Sequence, residues 1–175
     1  MGDGRSDPRV TVRVAAADDC ERIAALEHDV GGIDAALSLA RCVEQALDPA
    51  LLLVVAEAGG EIVGFGRAGA WDPPDDAPPD AAPPGWYLLG LLVRDAWRRR
   101  GVGSALTRRR LEWIGGRTDR AYYFANARND ASIELHRRLG FVERTRDFWF
   151  PNTSFDGGEG VLFEAYLAGD GGLDR

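Results

Sequence analysis

Seven of the eight residues from Trp86 to Val93 are apolar, and five positions later the chain reads Arg98-Arg99-Arg100-Gly101-Val102-Gly103-Ser104. A nearly all-apolar run of this length, bounded by turn signals, predicts a buried central strand. The stretch after Gly103 suits a helix to about Ile114, ended by Gly115-Gly116. Ala121 to Ala125 is the next strand-like run. On this helix Val102, Ala105, Leu106 and Trp113 share an arc that Arg109 interrupts.

The remaining segments fall around that unit. Val10 to Val14 alternates apolar and polar residues, as a half-buried strand does. Asp18 and Asp19 offer an N-cap for a helix to about His28, and Gly31-Gly32 breaks it. Ile33 to Leu47 reads as a second helix, ended by Asp48-Pro49. Leu51 to Glu57, the Gly59-Gly60 turn and Ile62 to Arg67 predict a hairpin. A short helix from about Asn129 to Leu139 stops at Gly140, and strands at Val142 to Phe150 and Val161 to Leu167 follow. The order, βααββ then βαβαββ, predicts an α/β (α+β) chain: one domain over 10–167, a mixed sheet of six to seven strands with helices on both faces. Residues 1–9 and 168–175 read as flexible tails.

Asp72 to Gly85 stands apart, with six prolines, four aspartates and a five-residue echo. Its composition predicts an extended, mobile segment of polyproline II character. Two readings stay open: a solvated hairpin extension, or an acidic lid or rim over a substrate site.

Composition bounds the function. The 175 residues suit a single domain, and an apolar share of 45% can close a core. The longest apolar run, Ala50 to Ala56, is far short of the roughly 20 residues of a bilayer span. Met1 to Pro8 carries glycine and charge rather than an apolar leader, so a cytoplasmic placement is expected. Two cysteines, Cys20 and Cys42, and two histidines are too few for a disulfide framework or a convincing zinc site, and no metal is expected. All 21 basic residues are arginine, which rules out Schiff-base or lysine-base chemistry. Residues 91–150 hold 14 arginines against 7 acids, while residues 1–90 hold 16 acids against 6 arginines. One basic block on an acidic chain of net charge −7 argues against nucleic acid and for a small polyanion at that block.

The basic block coincides with the glycine turn. Backbone N–H groups at a helix start face the positive end of its dipole, a ready site for phosphate oxygens. Gly101 and Gly103 admit close approach, and Arg98, Arg99 and Arg100 add charge-assisted bonds. The turn lacks the Gly-Lys-Ser/Thr ending of a Walker loop and the third glycine of a dinucleotide fingerprint.

Arg98-x-x-Gly101-x-Gly103 after Leu91-Leu92-Val93 resembles the acetyl-CoA signature of the GNAT family of N-acetyltransferases. Asn129, followed by Ile133-Glu134-Leu135-His136-Arg137-Arg138-Leu139-Gly140-Phe141, is similar to that family's second signature. The resemblance implies a GNAT-type domain and acetyl-CoA as co-substrate. It implies that the strand at Leu91, Leu92 and Val93 is bulged and pairs with the pantetheine arm. The amides of Arg99, Arg100, Gly101, Val102, Gly103 and Ser104 would hold the pyrophosphate, and Asn129 would contact the cofactor arm. His136 stands where the family usually has tyrosine, hydrogen-bonded near the departing sulfur. Read on its own helix, His136 lies in an apolar arc and suits a packing residue; read through the family, it is a candidate general acid.

The general base is less legible. A primary amine must lose a proton before it attacks the thioester. The strand position at which some relatives carry glutamate is Tyr87, and Phe124 stands where N-terminal acetyltransferases often place one. Tyr87, Tyr122, Asp72 and Glu159 are weak candidates. The expected reaction is acetyl transfer to a small cationic amine by direct attack in a ternary complex, with no acyl-enzyme. Rivals are protein or peptide acetylation, a non-catalytic acyl-CoA sensor and, more distantly, a nucleotide-phosphate binder. Neither nucleic acid nor membrane is expected as a partner, and a homodimer accords with the family.

Overall fold

The apolar run at 51–58 forms β2 (Leu51–Ala58), which Gly59-Gly60 turns into β3 (Glu61–Trp71). The computed structural model describes residues 7, 9–155 and 158–167. Val54, Val55 and Ala56 are fully buried on β2, and β1 (Thr11–Val14) pairs antiparallel with it from Thr11↔Glu57 to Val14↔Val54. β4 (Gly85–Val93), β5 (Arg120–Asn126), β6 (Val142–Thr145) and β7 (Gly160–Tyr166) complete a seven-stranded sheet in the order β1-β2-β3-β4-β5-β7-β6. The helices are α1 (Cys20–Gly31), α2 (Ala35–Leu47), α3 (Val102–Gly115) and α4 (Asp130–Arg137). The mixed sheet of six to seven strands therefore has seven, in the expected element order.

By internal contacts the chain divides into two compact units, residues 1–69 with 89–110, and residues 70–88 with 111–175. In the first, Cys20, Ile23, Leu26, Cys42, Leu53, Val55, Ile62 and Phe65 form the buried core. α1 starts after a short 3-10 turn, and Asp19 there serves less as a cap than as an anchor. Its carboxylate accepts from Arg13 (2.5 and 2.9 Å), from Arg22 (3.1 Å) and from the Ala16 amide (2.8 Å). Arg13 in turn reaches Glu57 on β2 at 2.8 Å. A second polar cluster sits between α1 and α2, where Glu27 accepts from Ser38, from Arg41 (3.0 Å) and from Arg67 (2.9 Å). Burial pushes its carboxyl up, but these donors outweigh it and hold the group below the ordinary carboxylate value.

The second unit is built on β5 and β7, antiparallel from Arg120↔Tyr166 to Asn126↔Gly160, with β6 on the other edge of β7. β4 joins β5 in parallel through Tyr87↔Tyr122 and Leu88↔Tyr123. Here three expectations are corrected. β4 is buried only at Tyr87 and Leu88; from Leu89 on it is half-buried, with Gly90 exposed. β6 stops at Thr145, because its pairing with β7 shifts register after Glu143 and the Thr145 hydroxyl closes a turn with Asp147. The 72–85 segment is not a free extended arm. It forms turns at Asp75-Asp76 and Pro79-Asp80, and the Asp80 carbonyl and Ala82 amide pair with the backbone of Trp149 at 2.8 Å each. Ala82 is fully buried, and the Trp71 indole donates to its carbonyl. The expected tails at 1–9 and 168–175 lie outside the described residues except for Asp7 and Arg9, and the Asp7 amide donates to the Arg100 carbonyl at 3.0 Å.

Candidate acetyl-CoA site

In the first unit the end of β4 is bent at Gly90, whose φ of +57° is a left-handed conformation inside a strand. Leu91, Leu92 and Val93 follow it, half-buried, and the chain then leaves the strand as the Arg94 amide donates to the Val63 carbonyl at 2.9 Å. Arg98 folds back onto this end: its Nε donates to the Val93 carbonyl at 3.2 Å, and its guanidinium pairs with Asp95 at 2.9 Å. Arg99 adopts φ +61° and Gly101 φ +78°. A non-glycine residue in this region carries strain, and such outliers gather where a backbone is shaped for a ligand. Left-handed residues within a turn are one component of the backbone nests that bind anions.

That turn runs into the start of α3. The Gly101 carbonyl accepts from the Ala105 amide at 2.9 Å, so the amides of Val102, Gly103 and Ser104 precede the first intrahelical bond. Val102 is buried and anchors the turn, while Gly103 and Ser104 are half-buried. Arg98, Arg99 and Arg100 are exposed, so their charge carries little desolvation cost. The Arg100 guanidinium lies 5.2 Å from the Trp97 ring centre. Amides of fixed direction, a helix dipole and three cations fit a diphosphate, the anionic part of acetyl-CoA.

In the second unit Asn129 is the N-cap of α4, its Oδ1 accepting from the Ser132 amide at 3.2 Å. His136, 1% exposed, stacks flat on Tyr123 with ring centres 3.6 Å apart and meets Phe141 edge-on at 5.5 Å. Its Nδ1 is 2.8 Å from the Ser132 carbonyl. A carbonyl only accepts, so Nδ1 carries the hydrogen. Tyr123 and Ser132 share a hydrogen bond of 2.6 Å, which ties this cluster to the first turn of α4.

The base candidates fare differently. Tyr87 is fully buried, its hydroxyl donates to the Pro83 carbonyl at 2.6 Å, and burial pushes its phenol up, the reverse of what a base near neutral pH needs. Tyr122 is buried and accepts from Arg120 at 3.4 Å; Glu159 is exposed and ion-paired with Arg146 at 2.7 Å; Asp72 is exposed. Phe124 packs among Phe148, Phe150 and Phe155, an aromatic cluster that the strand patterns did not single out. Cys20 and Cys42 are buried free thiols, and burial together with the Cys20 hydrogen bond pushes Cys42 up to about 12. Among the described residues no group of three or more His, Cys, Asp or Glu is placed to hold a metal, and no helix is long and apolar enough to cross a membrane.

The acetyltransferase (GNAT) family model matches residues 27–141, which spans both signatures, and the chain belongs to that family. It is an acetyl-CoA-dependent N-acetyltransferase. No curated protein matches its sequence. Solved structures share its fold at low identity. The ribosomal-protein-S18-alanine N-acetyltransferase from Escherichia coli superposes with a TM-score of 0.68 at 20% identity, covering 95% of this chain and 99% of that one. The putative acetyltransferase yncA from Salmonella typhimurium, solved with acetyl-CoA, gives the same values. The aminoglycoside antibiotic 6'-N-acetyltransferase AAC(6')-Ih from Acinetobacter baumannii gives 0.65 at 18%, covering 83% and 99%. Both a ribosomal-protein and an antibiotic acetyltransferase share this fold, so acetyl transfer is common ground and the acceptor is not.

Proposed function

We propose that the chain binds the acetyl-CoA diphosphate on the amides of Arg99 to Ser104 and acetylates a small cationic primary amine, a metabolite or an antibiotic. The observation that carries the first half is the left-handed pair Arg99 and Gly101 directly before the α3 N-terminus. Bound there, acetyl-CoA supplies an activated acetyl thioester. Arg98 to Arg100 neutralise the phosphates, and the backbone of Leu91, Leu92 and Val93 orients the arm and polarises the carbonyl. By their motif positions Asn129 would contact the cofactor arm and His136 would serve as general acid toward the departing thiolate. Cys42, a neutral thiol, offers no nucleophile for an acyl-enzyme, which supports direct attack by the amine.

The acceptor class rests on charge. Asp72, Asp75, Asp76 and Asp80 are all exposed on a segment that its ties to Trp149 hold in place. An anchored row of carboxylates attracts a cationic amine more effectively than a mobile one. Phe124, in place of a glutamate, weighs against a protein N-terminus as acceptor. The test is free-thiol release from acetyl-CoA over a panel of polyamines, aminoglycosides, neutral amines and N-terminal peptides. Turnover should favour the cationic small amines, and replacing the four aspartates with asparagine should raise their KM about three- to tenfold. Turnover on peptides alone, or an unchanged KM, would reject this acceptor class, and acetyl-CoA binding without turnover on any amine would favour a sensor.

A further inference from the structure

Arg110 is the third arginine of Arg108-Arg109-Arg110 on α3, and it is 1% exposed. It lies four and eight residues after the buried Leu106 and Val102, a helix position that ordinarily takes an aliphatic side chain. Its NH1 donates both to the Arg67 carbonyl of β3 at 3.0 Å and to the Gly90 carbonyl of β4 at 3.2 Å. NH2 donates to the Thr107 hydroxyl at 2.9 Å and Nε to the Leu106 carbonyl at 3.3 Å. β3 makes room for the group at Gly66, where a Cβ would stand 2.9 Å from Nε and 3.0 Å from Cζ.

Burying a guanidinium is costly, and it persists where its donors meet acceptors that nothing else satisfies. A bulge inside a strand frees such an acceptor, because the left-handed residue takes its peptide out of the ladder. Gly90, at φ +57°, is a left-handed residue inside β4, and Nη1 of Arg110 bridges its carbonyl to the adjoining strand. We propose that Arg110 is a positioning residue that fixes the bend at Gly90 and thereby the backbone of Leu91 to Val93 that receives the pantetheine arm. The inference rests on the acetyl-CoA site proposed above. Three residues far apart in sequence act as one device: Gly66 gives space, Gly90 gives the bend, and Arg110 locks it.

The experiment compares two ligands on the full chain: acetyl-CoA, and ADP, which has the diphosphate but no pantetheine arm. Arg110→Met should weaken acetyl-CoA about tenfold, leave ADP within about twofold, and shift the amide resonances of Leu91 to Val93 but not those of 99–104. A folded Arg110→Met that binds acetyl-CoA like wild type overturns the proposal, and so does equal weakening of both ligands, the mark of general destabilisation. Should that variant not fold, Arg110→Lys keeps the charge and loses the rigid fork; the same split is expected, and wild-type affinity for both ligands overturns the proposal. Wild type that fails to bind acetyl-CoA would instead overturn the site itself.

Discussion

Asp19→Asn removes one charge and almost no volume, so it isolates the electrostatic anchoring of α1. The Asp19 side chain is 5% exposed, and its carboxyl is held at about 2 against an ordinary 3.8. The Arg13 hydrogen bond is the largest cause; burial opposes it, and the Ala16 amide assists. At 1.36 kcal/mol per pKa unit the shift corresponds to about 2.4 kcal/mol. Arg13 and Arg22 are each 38% exposed, and solvent screening reduces that to about 1–2 kcal/mol. A chain of this size should lose about 2–8 °C in Tm. The folded pKa is depressed, so the contribution is complete above the unfolded value, about 3.9, and disappears as pH falls through about 2. Urea unfolding of wild type and variant at pH 7, 5, 4, 3, 2.5 and 2 reads the gap directly. The gap should hold down to pH 5, narrow by pH 3 and close near pH 2. A gap under about 0.5 kcal/mol at pH 7, or one that stays constant to pH 2.5, would refute the electrostatic account.

Two further outcomes test the site. Gly101→Ala forces a Cβ into a left-handed position, which costs about 1–2 kcal/mol and should weaken acetyl-CoA about five- to thirtyfold in a calorimetric titration. His136→Phe keeps the stack on Tyr123 and loses the bond to the Ser132 carbonyl, so stability should fall by about 1 kcal/mol in urea unfolding. Its kcat should fall well beyond that loss while the KM for acetyl-CoA changes little; turnover at the wild-type rate would remove His136 from the chemistry.

The segments that carried a clear period were legible. Alternation at Val10 to Val14, the Gly59-Gly60 hairpin and the Gly140 stop each put a strand, turn or helix end within a few residues of where it lies. The glycine turn before α3 was legible because a glycine directly before a helix start marks a left-handed turn, and Gly101 signals it in one letter. Arg99 in a left-handed conformation was not, since nothing in its identity prefers that region. Arg110 was invisible for a related reason. Nothing in three consecutive arginines marks one of them as interior; the glycines at 66 and 90, distant in sequence, make a place for Arg110. The expected interruption at Arg109 was one residue early, for Arg109 faces solvent. The proline-rich segment misled through composition: polyproline character argues for extension, whereas its tether comes from the Trp149 backbone some seventy residues on. Of the two readings of His136, the packing one is visible in the ring stacked on Tyr123 and held at Nδ1 by the Ser132 carbonyl.

The latch at Asp80 and Ala82 separates two kinds of variation along the chain. Residues inserted before Asp80 would lengthen a surface arm and leave the sheet alone, whereas one inserted after Ala82 would slide Tyr87 and Leu88 out of step with β5. A lineage carrying this fold can therefore redraw its acidic face by duplication or deletion in the proline repeat while the architecture that holds the thioester is inherited unchanged.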